Sequence, residues 1–143
     1  MALDVGDKTI GIAFADETAS MAFPGETIIR HEGHRRDLAV LRRLITEREV
    51  NRLVVGMPML SDGSHGVQAS KVEEFMILLR RSVRIPIELQ DESYTTAGAE
   101  LLLDEIGRKR SDQKRTIDSN AACLILQDFL AKVESREADV RQK

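Results

Sequence analysis

The chain has 143 residues, which is enough for one domain with a hydrophobic core and too few for two ordinary domains. Its hydrophobic fraction of 42% and charged fraction of 31% are typical of a globular protein and exclude a disordered one. No apolar run approaches the roughly 20 residues of a membrane-spanning helix, and the early carboxylate of Asp4 argues against a signal peptide. The single cysteine, Cys123, has no partner for an internal disulfide, so we expect a protein of the reducing cytoplasm without a membrane segment.

The first half of the chain predicts three strands followed by a helix. Apolar stretches at residues 2–5 and 9–15 indicate a tight hairpin around Gly6-Asp7. A third strand is predicted at Glu26 to Arg30, after a Pro-Gly turn signal. From about Arg35 to Arg48 the apolar residues recur with helical spacing, which predicts an amphipathic helix.

The second half alternates short apolar strands with helices. Leu53 to Gly56 is a continuous apolar run, as is typical of a buried parallel strand, and Ile85 to Leu89 predicts another buried strand. The composition from Ser61 to Gly66 is that of a loop. The remaining helices are predicted at about Val67 to Leu79, Thr96 to Ile106 and Ser111 to Val133.

This element order predicts one α/β domain. Strands joined by short turns pair antiparallel, whereas strands separated by helices are parallel. We therefore expect a mixed five-stranded sheet, three antiparallel strands followed by parallel ones, flanked by helices. The domain covers residues 1–133, and the mostly charged or polar residues 134–143 are expected to fray.

Acidic residues occur where parallel strands are predicted to end. Asp4 lies at the end of the first strand, and Asp91 and Glu92 directly follow the last. Sites in open sheets form at the carboxyl ends of the strands, so these carboxylates are expected at one edge.

A fourth acid, Asp118, belongs to the last predicted helix. It shares a helical face with the apolar residues Ala122, Ile125 and Phe129. A carboxylate in line with an apolar stripe is costly unless it has a partner or an ion. Converging carboxylates suit Mg²⁺ or Mn²⁺, and two such ions can clamp the oxygens of a phosphodiester displacement.

Each acid also has a simpler interpretation. Asp4 suits a turn beside Gly6, and the pair Asp91-Glu92 suits the first residues of a helix. Asp118 suits a surface ion pair with Arg115 or Lys114. The residues alone leave these alternatives open.

Basic residues are concentrated in two segments although the net charge is −3. Five basic residues and one acid lie in the first, which consists of Arg108, Lys109, Arg110, Lys114, Arg115 and the residues between them. The second consists of Arg30, His31, His34, Arg35 and Arg36. The alternative to a phosphate contact is a solvated surface in each case. The two histidines have no third metal ligand nearby and are expected to be exposed, and an aromatic content of 3% argues against recognition by base stacking.

Four segments carry a resemblance to a known family. They read LDVGDKTIGIAFAD from Leu3, LVVGMPMLSDGSHGVQASKV from Leu53, DESYTT from Asp91 and KRTIDSNAACLILQDFL from Lys114. In order and spacing they resemble the YqgF family, also called RuvX, of pre-16S rRNA nucleases and Holliday-junction resolvases.

The resemblance implies an RNase H-like fold and a cytoplasmic nuclease of the RuvC-like class that depends on Mg²⁺ or Mn²⁺. Carried over by position, the ligands are Asp4, Glu92 and Asp118, with Asp91 beside the second. Lys8 matches the family's hairpin. The resemblance therefore favours contacts with the phosphate backbone of a nucleic acid for Lys8 and for the first basic segment.

The implied activity leaves several alternatives open. The substrate is either structured RNA, such as the 5′ end of precursor 16S rRNA, or branched DNA. A sugar-kinase-like phosphotransferase would need a second domain, and a catalytically silent nucleic-acid-binding module is a third possibility. We expect a monomer or a weak homodimer.

Overall fold

The computed structural model describes residues 1–59, 66–92 and 110–141, and in the last range the side chains of residues 120–138 and 140. Most of the predicted loop from Ser61 to Gly66 and the predicted helix from Thr96 to Ile106 lie outside the described residues. No helix in the described ranges is long and apolar enough to cross a membrane.

The described residues form an α/β domain, as predicted. The strands are β1 (Ala2–Val5), β2 (Thr9–Ala15), β3 (Ala22–Ile29), β4 (Leu53–Pro58) and β5 (Ile87–Glu92). The helices are α1 (Arg35–Glu47), α2 (Val67–Ser82) and α3 (Arg110–Arg141).

The five strands form one mixed sheet in the order β3-β2-β1-β4-β5. β1 pairs antiparallel with β2, and β2 pairs antiparallel with β3. β4 is parallel to both β1 and β5. The predicted mixed sheet is therefore confirmed, and the carboxyl ends of β1, β4 and β5 meet at one edge, which we call the carboxyl edge.

Two helices, α1 and α2, cover one face of the sheet, and α3 covers the other. The larger core cluster joins side chains of α1 and α2 to one face, with Leu3 and Val55 among its sheet residues. The smaller cluster joins α3 to the other face, where Ala2 and Val54 contribute from the sheet and Ile125 from the helix. Neighbouring residues of a strand point to opposite faces of the sheet. The two clusters therefore show which strand residues face α1 and α2 and which face α3.

Two strands continue further than the sequence pattern predicts. β4 runs to Pro58 and β5 to Glu92, because their parallel pairing continues through Met57–Asp91 and Pro58–Glu92. The amide of Met59 then donates a hydrogen bond of 3.2 Å to the carbonyl of Glu92. The predicted ends at Gly56 and Leu89 are therefore wrong, and both acids belong to β5 itself.

The bounds of β3 and α3 also differ from prediction. β3 begins at Ala22 and includes Pro24, since the outermost strand of a sheet tolerates a residue without an amide hydrogen. α3 continues past its predicted end at Val133 to Arg141. The described side chains from Glu134 onwards are exposed, so the last turns add nothing to the core. The domain boundary at residue 133 stays a prediction.

Candidate active site

Asp4 lies near the end of β1, with its side chain on the α3 face of the sheet. Leu3 and Val5 on either side belong to the α1/α2 core, and Ala2 belongs to the α3 core. Alternation along the strand therefore places Asp4 with Ala2. Asp4 is half-buried, and its antiparallel partner on β2 is Gly11, which has no side chain to cover it.

Asp91 and Glu92 follow each other on β5 and so lie on opposite faces. Glu92 pairs with Pro58 and Gln90 with Gly56, and Gly56 faces Ile125 of α3. Glu92 thus lies on the α3 face, as Asp4 does. Asp91 is exposed on the other face. Of the two acids, alternation favours Glu92 as the partner of Asp4.

Gly56 lies on β4, the strand between the two acids. The register of β1 with β4 pairs Leu3 with Val55, so Gly56 lies alongside Asp4. A Cβ atom at Gly56 would collide with Cδ1 of Ile125 and lie 3.1 Å from its Cγ1. Gly56 therefore allows α3 to approach the sheet closely at the point where the two acidic strands flank β4.

Gln90 lies beside the second acid, Glu92. Its side chain is only 4% exposed, and Nε2 lies 3.4 Å from Oε1 of Glu92, two residues further along the same face. At this length the hydrogen bond is weak, and it places the amide of Gln90 beside the carboxylate. Gln90 was not among the predicted site residues, although its position two residues before the acid on a predicted strand was the available signal.

Asp118 belongs to α3, but its side chain lies outside the described part. The apolar stripe that it was predicted to continue is confirmed, since Ala122, Ile125 and Phe129 are all buried. Asp118 precedes Ile125 by seven residues, about two helical turns, so the helix backbone places both on the same face. The full triad stays a prediction.

The donor chemistry fits a small divalent cation. β1 and β5 are two strand spacings apart, about 10 Å between backbones. Glu92 lies two residues beyond Gln90, which is the β5 residue in register with Gly56 and Asp4. The two carboxylates therefore approach one cation only by reaching diagonally across β4. Carboxylate oxygens are hard ligands that suit Mg²⁺ or Mn²⁺. Within residues 1–59, 66–92 and the described side chains of α3, no group of three or more metal-ligand side chains is assembled, so a complete site requires the third acid.

The predicted nucleic-acid contacts are only partly within the described residues. Lys8 is exposed in the turn between β1 and β2, at the carboxyl edge. Arg110, Lys114 and Arg115 lie in the first turns of α3, and their side chains are not described. Arg108 and Lys109 lie outside the described residues.

The second basic segment has a mixed character. His31, His34, Arg35 and Arg36 are exposed, as expected for the histidines. Arg30 is different, because its side chain is 14% exposed and forms a salt bridge of 3.0 Å with a buried Asp37. The solvated interpretation is wrong for this arginine.

A cleft of about 230 Å³ opens next to Arg30 and is lined in part by Lys71 of α2. Lys71 forms an ion pair of 3.1 Å with Asp7 in the turn between β1 and β2. Both of these cations already have a carboxylate partner, so the cleft does not form a ready anion site.

Comparisons with known proteins identify close relatives over most of the chain. The family model described as "RuvX: Holliday junction resolvase" matches residues 1–132. A Chloroflexus aggregans protein named "Putative pre-16S rRNA nuclease" is 41% identical over 130 residues, covering 91% of this chain and 91% of the relative. A Lachnospira eligens protein of the same name is 40% identical over 130 residues, covering 90% of this chain and 93% of the relative.

A solved structure, that of Thermus thermophilus RuvC, matches the fold. The TM-score is 0.52 at 14% sequence identity, over 92% of this chain and 94% of the other. This likeness confirms the RNase H-like fold. Together with the family model and the relatives of about the same length, it leads to one conclusion: the chain belongs to the RuvX family.

Proposed function

We propose that this chain is a divalent-metal-dependent nuclease that hydrolyses phosphodiester bonds, with Asp4, Glu92 and Asp118 as the metal ligands. The observation that carries the proposal is the common placement of Asp4 and Glu92 at strand ends on the face covered by α3, the helix that contains Asp118. Acids at the carboxyl ends of parallel strands are where such folds build their sites.

The residues of the chain have separate parts in this chemistry. A bound Mg²⁺ or Mn²⁺ would supply Lewis acidity and would activate a water molecule for attack. Asp4 and Glu92 would hold the cation from two strands, with the side-chain amide of Gln90 beside the second carboxylate. Gly11, the partner of Asp4 on β2, has no side chain beside the carboxylate. Phosphoryl transfer depends mainly on such positioning and on charge neutralisation.

The basic residues supply the nucleic-acid contacts in this proposal. Lys8 at the carboxyl edge and the cations of residues 108–115 would bind the phosphate backbone. With an aromatic content of 3%, the protein would recognise backbone and shape more than stacked bases.

We further propose that the substrate is precursor 16S rRNA, processed near its 5′ end in the bacterial cytoplasm. The names of the relatives at about 40% identity support this choice. The description of the family model favours a second candidate, resolution of Holliday junctions. Symmetric paired cuts require two active sites related by a twofold axis, so the monomer or weak homodimer that we expect favours RNA.

Cleavage of a matched set of substrates distinguishes these functions. The purified chain is incubated with a 5′-extended 16S precursor fragment, a four-way DNA junction or duplex DNA, each in Mn²⁺, Mg²⁺ or excess EDTA. We expect the precursor RNA to be cut in either metal and to stay intact in EDTA.

The other outcomes identify the competing functions. Symmetric cutting of the junction, together with a tight dimer in sedimentation, would favour the resolvase. Binding of the substrates without cleavage in either metal would mean a silent binding module and would contradict the proposal. Cleavage that persists in EDTA would exclude metal dependence.

A further inference from the structure

Arg30, the residue that follows β3, contacts four other parts of the chain. Its Nε donates a hydrogen bond of 3.0 Å to Oδ2 of Asp37 in the first turn of α1. One terminal nitrogen donates to the carbonyl oxygen of Gly6 at 2.6 Å, and the other lies 3.0 Å from Nδ1 of His34. The guanidinium carbon also lies 5.2 Å from the ring centroid of Phe75 on α2. Arg30 thus links α1 and α2 to the turn between β1 and β2.

The turn between β1 and β2 is fixed by Arg30 at two points. The side chain binds the carbonyl of Gly6, and the backbone amide of Arg30 donates a hydrogen bond of 2.9 Å to the carbonyl of Lys8. Within the turn, the Gly6 amide donates to the carbonyl of Thr9 at 2.9 Å. Asp4 lies two residues before Gly6, so a displacement of this turn displaces the acid.

Overall stability does not by itself account for this arrangement. The side chains of Arg30 and Asp37 are 14% and 1% exposed, so the pair has lost most of its hydration. Replacing a buried ion pair with apolar residues of similar volume is often neutral or stabilising. What an apolar pair cannot reproduce is the planar guanidinium, which directs several hydrogen bonds at fixed angles.

We propose that Arg30 is a positioning residue for Asp4. Its hydrogen bond to the Gly6 carbonyl holds the carboxylate of Asp4 in position to bind a metal ion. Arg30 does so from the face of the sheet opposite to that of Asp4. The inference rests on the proposed metal-dependent function. Groups that orient metal ligands without touching the ion typically contribute about 10–100-fold to metal affinity, and Arg30 acts as such a group through the backbone of β1.

A double variant separates this role from folding. Arg30→Ala alone would leave Asp37 buried without its partner, which strongly destabilises the fold. Arg30→Met combined with Asp37→Leu removes both charges and retains an apolar contact with Phe75. We expect this double variant to keep a cooperative thermal transition and to lack the bond to Gly6.

Mn²⁺ binding without nucleic acid is then titrated by the electron paramagnetic resonance signal of free Mn²⁺. We expect the double variant to bind Mn²⁺ about 10-fold more weakly than the wild type. Lys71→Met is the matched control, because Lys71 ties the same turn through Asp7 in an exposed pair. Exposed pairs contribute little, so this control is expected to stay within about twofold of the wild type.

Each result has one meaning for the proposal. Wild-type Mn²⁺ affinity in the folded double variant would overturn it, and so would a wild-type chain that binds no Mn²⁺. If the double variant fails to fold, Arg30→Lys replaces it: this lysine retains the charge beside Asp37 but cannot direct the forked bonds, and undiminished Mn²⁺ affinity would overturn the proposal. Weakened Mn²⁺ binding in a protein that cleaves no nucleic acid would support the role of Arg30 and contradict the nuclease function.

Discussion

Asp91 and Glu92 are neighbours in the sequence, but they lie on opposite faces of β5. Glu92 shares the α3 face with Asp4, whereas Asp91 is exposed on the α1/α2 side. The pairing of β4 with β5 through Pro58 and Glu92 causes this separation, because it keeps both acids in a regular strand. Two adjacent carboxylates therefore form a matched pair for testing which one binds metal.

Glu92→Gln is expected to lower the metal-dependent cleavage rate by more than about a hundredfold, since it removes a ligand charge and not merely an orienting contact. Asp91→Asn removes the same charge on the other face and is expected to change the rate by less than about threefold. Initial rates at saturating Mn²⁺ measure both. Equal decreases in the two variants would mean that the strand alternation does not select the ligand.

The contact between Gly56 and Ile125 predicts a coupled effect on stability. Gly56→Ala overpacks the junction of β4 with α3 and is expected to lower the free energy of unfolding by about 1–3 kcal/mol. Ile125→Val removes the Cδ1 atom that the new methyl group would meet, at a cost of about 0.5–1.5 kcal/mol alone. In the double variant the combined decrease should fall short of the sum of the two by about 1 kcal/mol.

Urea unfolding followed by circular dichroism measures these free energies, since the chain has no tryptophan to report by fluorescence. If the decreases in the free energy of unfolding add strictly, the contact between residue 56 and Cδ1 of Ile125 does not determine how closely α3 approaches the sheet.

The basic residues near the start of α3 predict the salt dependence of RNA binding. Replacing Arg108, Lys109 and Arg110 with alanine is expected to make the slope of log K against log salt shallower by about 0.7 for each phosphate that the protein no longer neutralises. The matched control replaces Arg80, Arg81 and Arg84, which are exposed near the end of α2, at the edge where β5 begins. That triple variant removes the same charge, and its slope should equal the wild-type slope within error. Equal changes in both variants would indicate a nonspecific charge effect.

Cys123 predicts slow chemical modification in the native protein. Partial burial against the α3 core raises the pKa of its thiol, so less of the reactive thiolate is present at any pH below that pKa. Alkylation of Cys123 should therefore be slower in the native chain than in the chain unfolded in urea. The rise of the alkylation rate with pH should also occur at a higher pH in the native chain. Because Cys123 is the only cysteine, mass spectrometry follows this one site. Identical pH profiles in both states would contradict the burial of the thiol.

Much of the fold was predictable because its signals are local. Alternation, helical periodicity and turn residues predicted the strands and helices that the structure describes, and their order required a mixed sheet. The end of β5 was not predictable, because two acids after Leu89 have the composition of a turn. Only the pairing with β4 keeps them in the strand, and without that pairing alternation cannot separate Asp91 from Glu92.

The candidate site was predictable to the extent that acids follow apolar strands. The contacts that surround it were not, because they join distant parts of the chain. Arg30 binds the carbonyl of a residue that lies 24 positions earlier, and its segment has the composition of a solvated basic surface. The one available signal was Asp37, which precedes the buried Leu41 by one helical turn and so required a partner.

The most direct test of the central claim is the rate of Mn²⁺-dependent cleavage of a 5′-extended 16S precursor fragment by the wild type and by Asp4→Asn. This substitution preserves the size of the side chain and removes the charge that binds the cation. We predict that the wild type cuts the fragment and that Asp4→Asn retains less than about one hundredth of that rate, with unchanged thermal stability. Cleavage by the Asp4→Asn variant at the wild-type rate would contradict the assignment of the metal site.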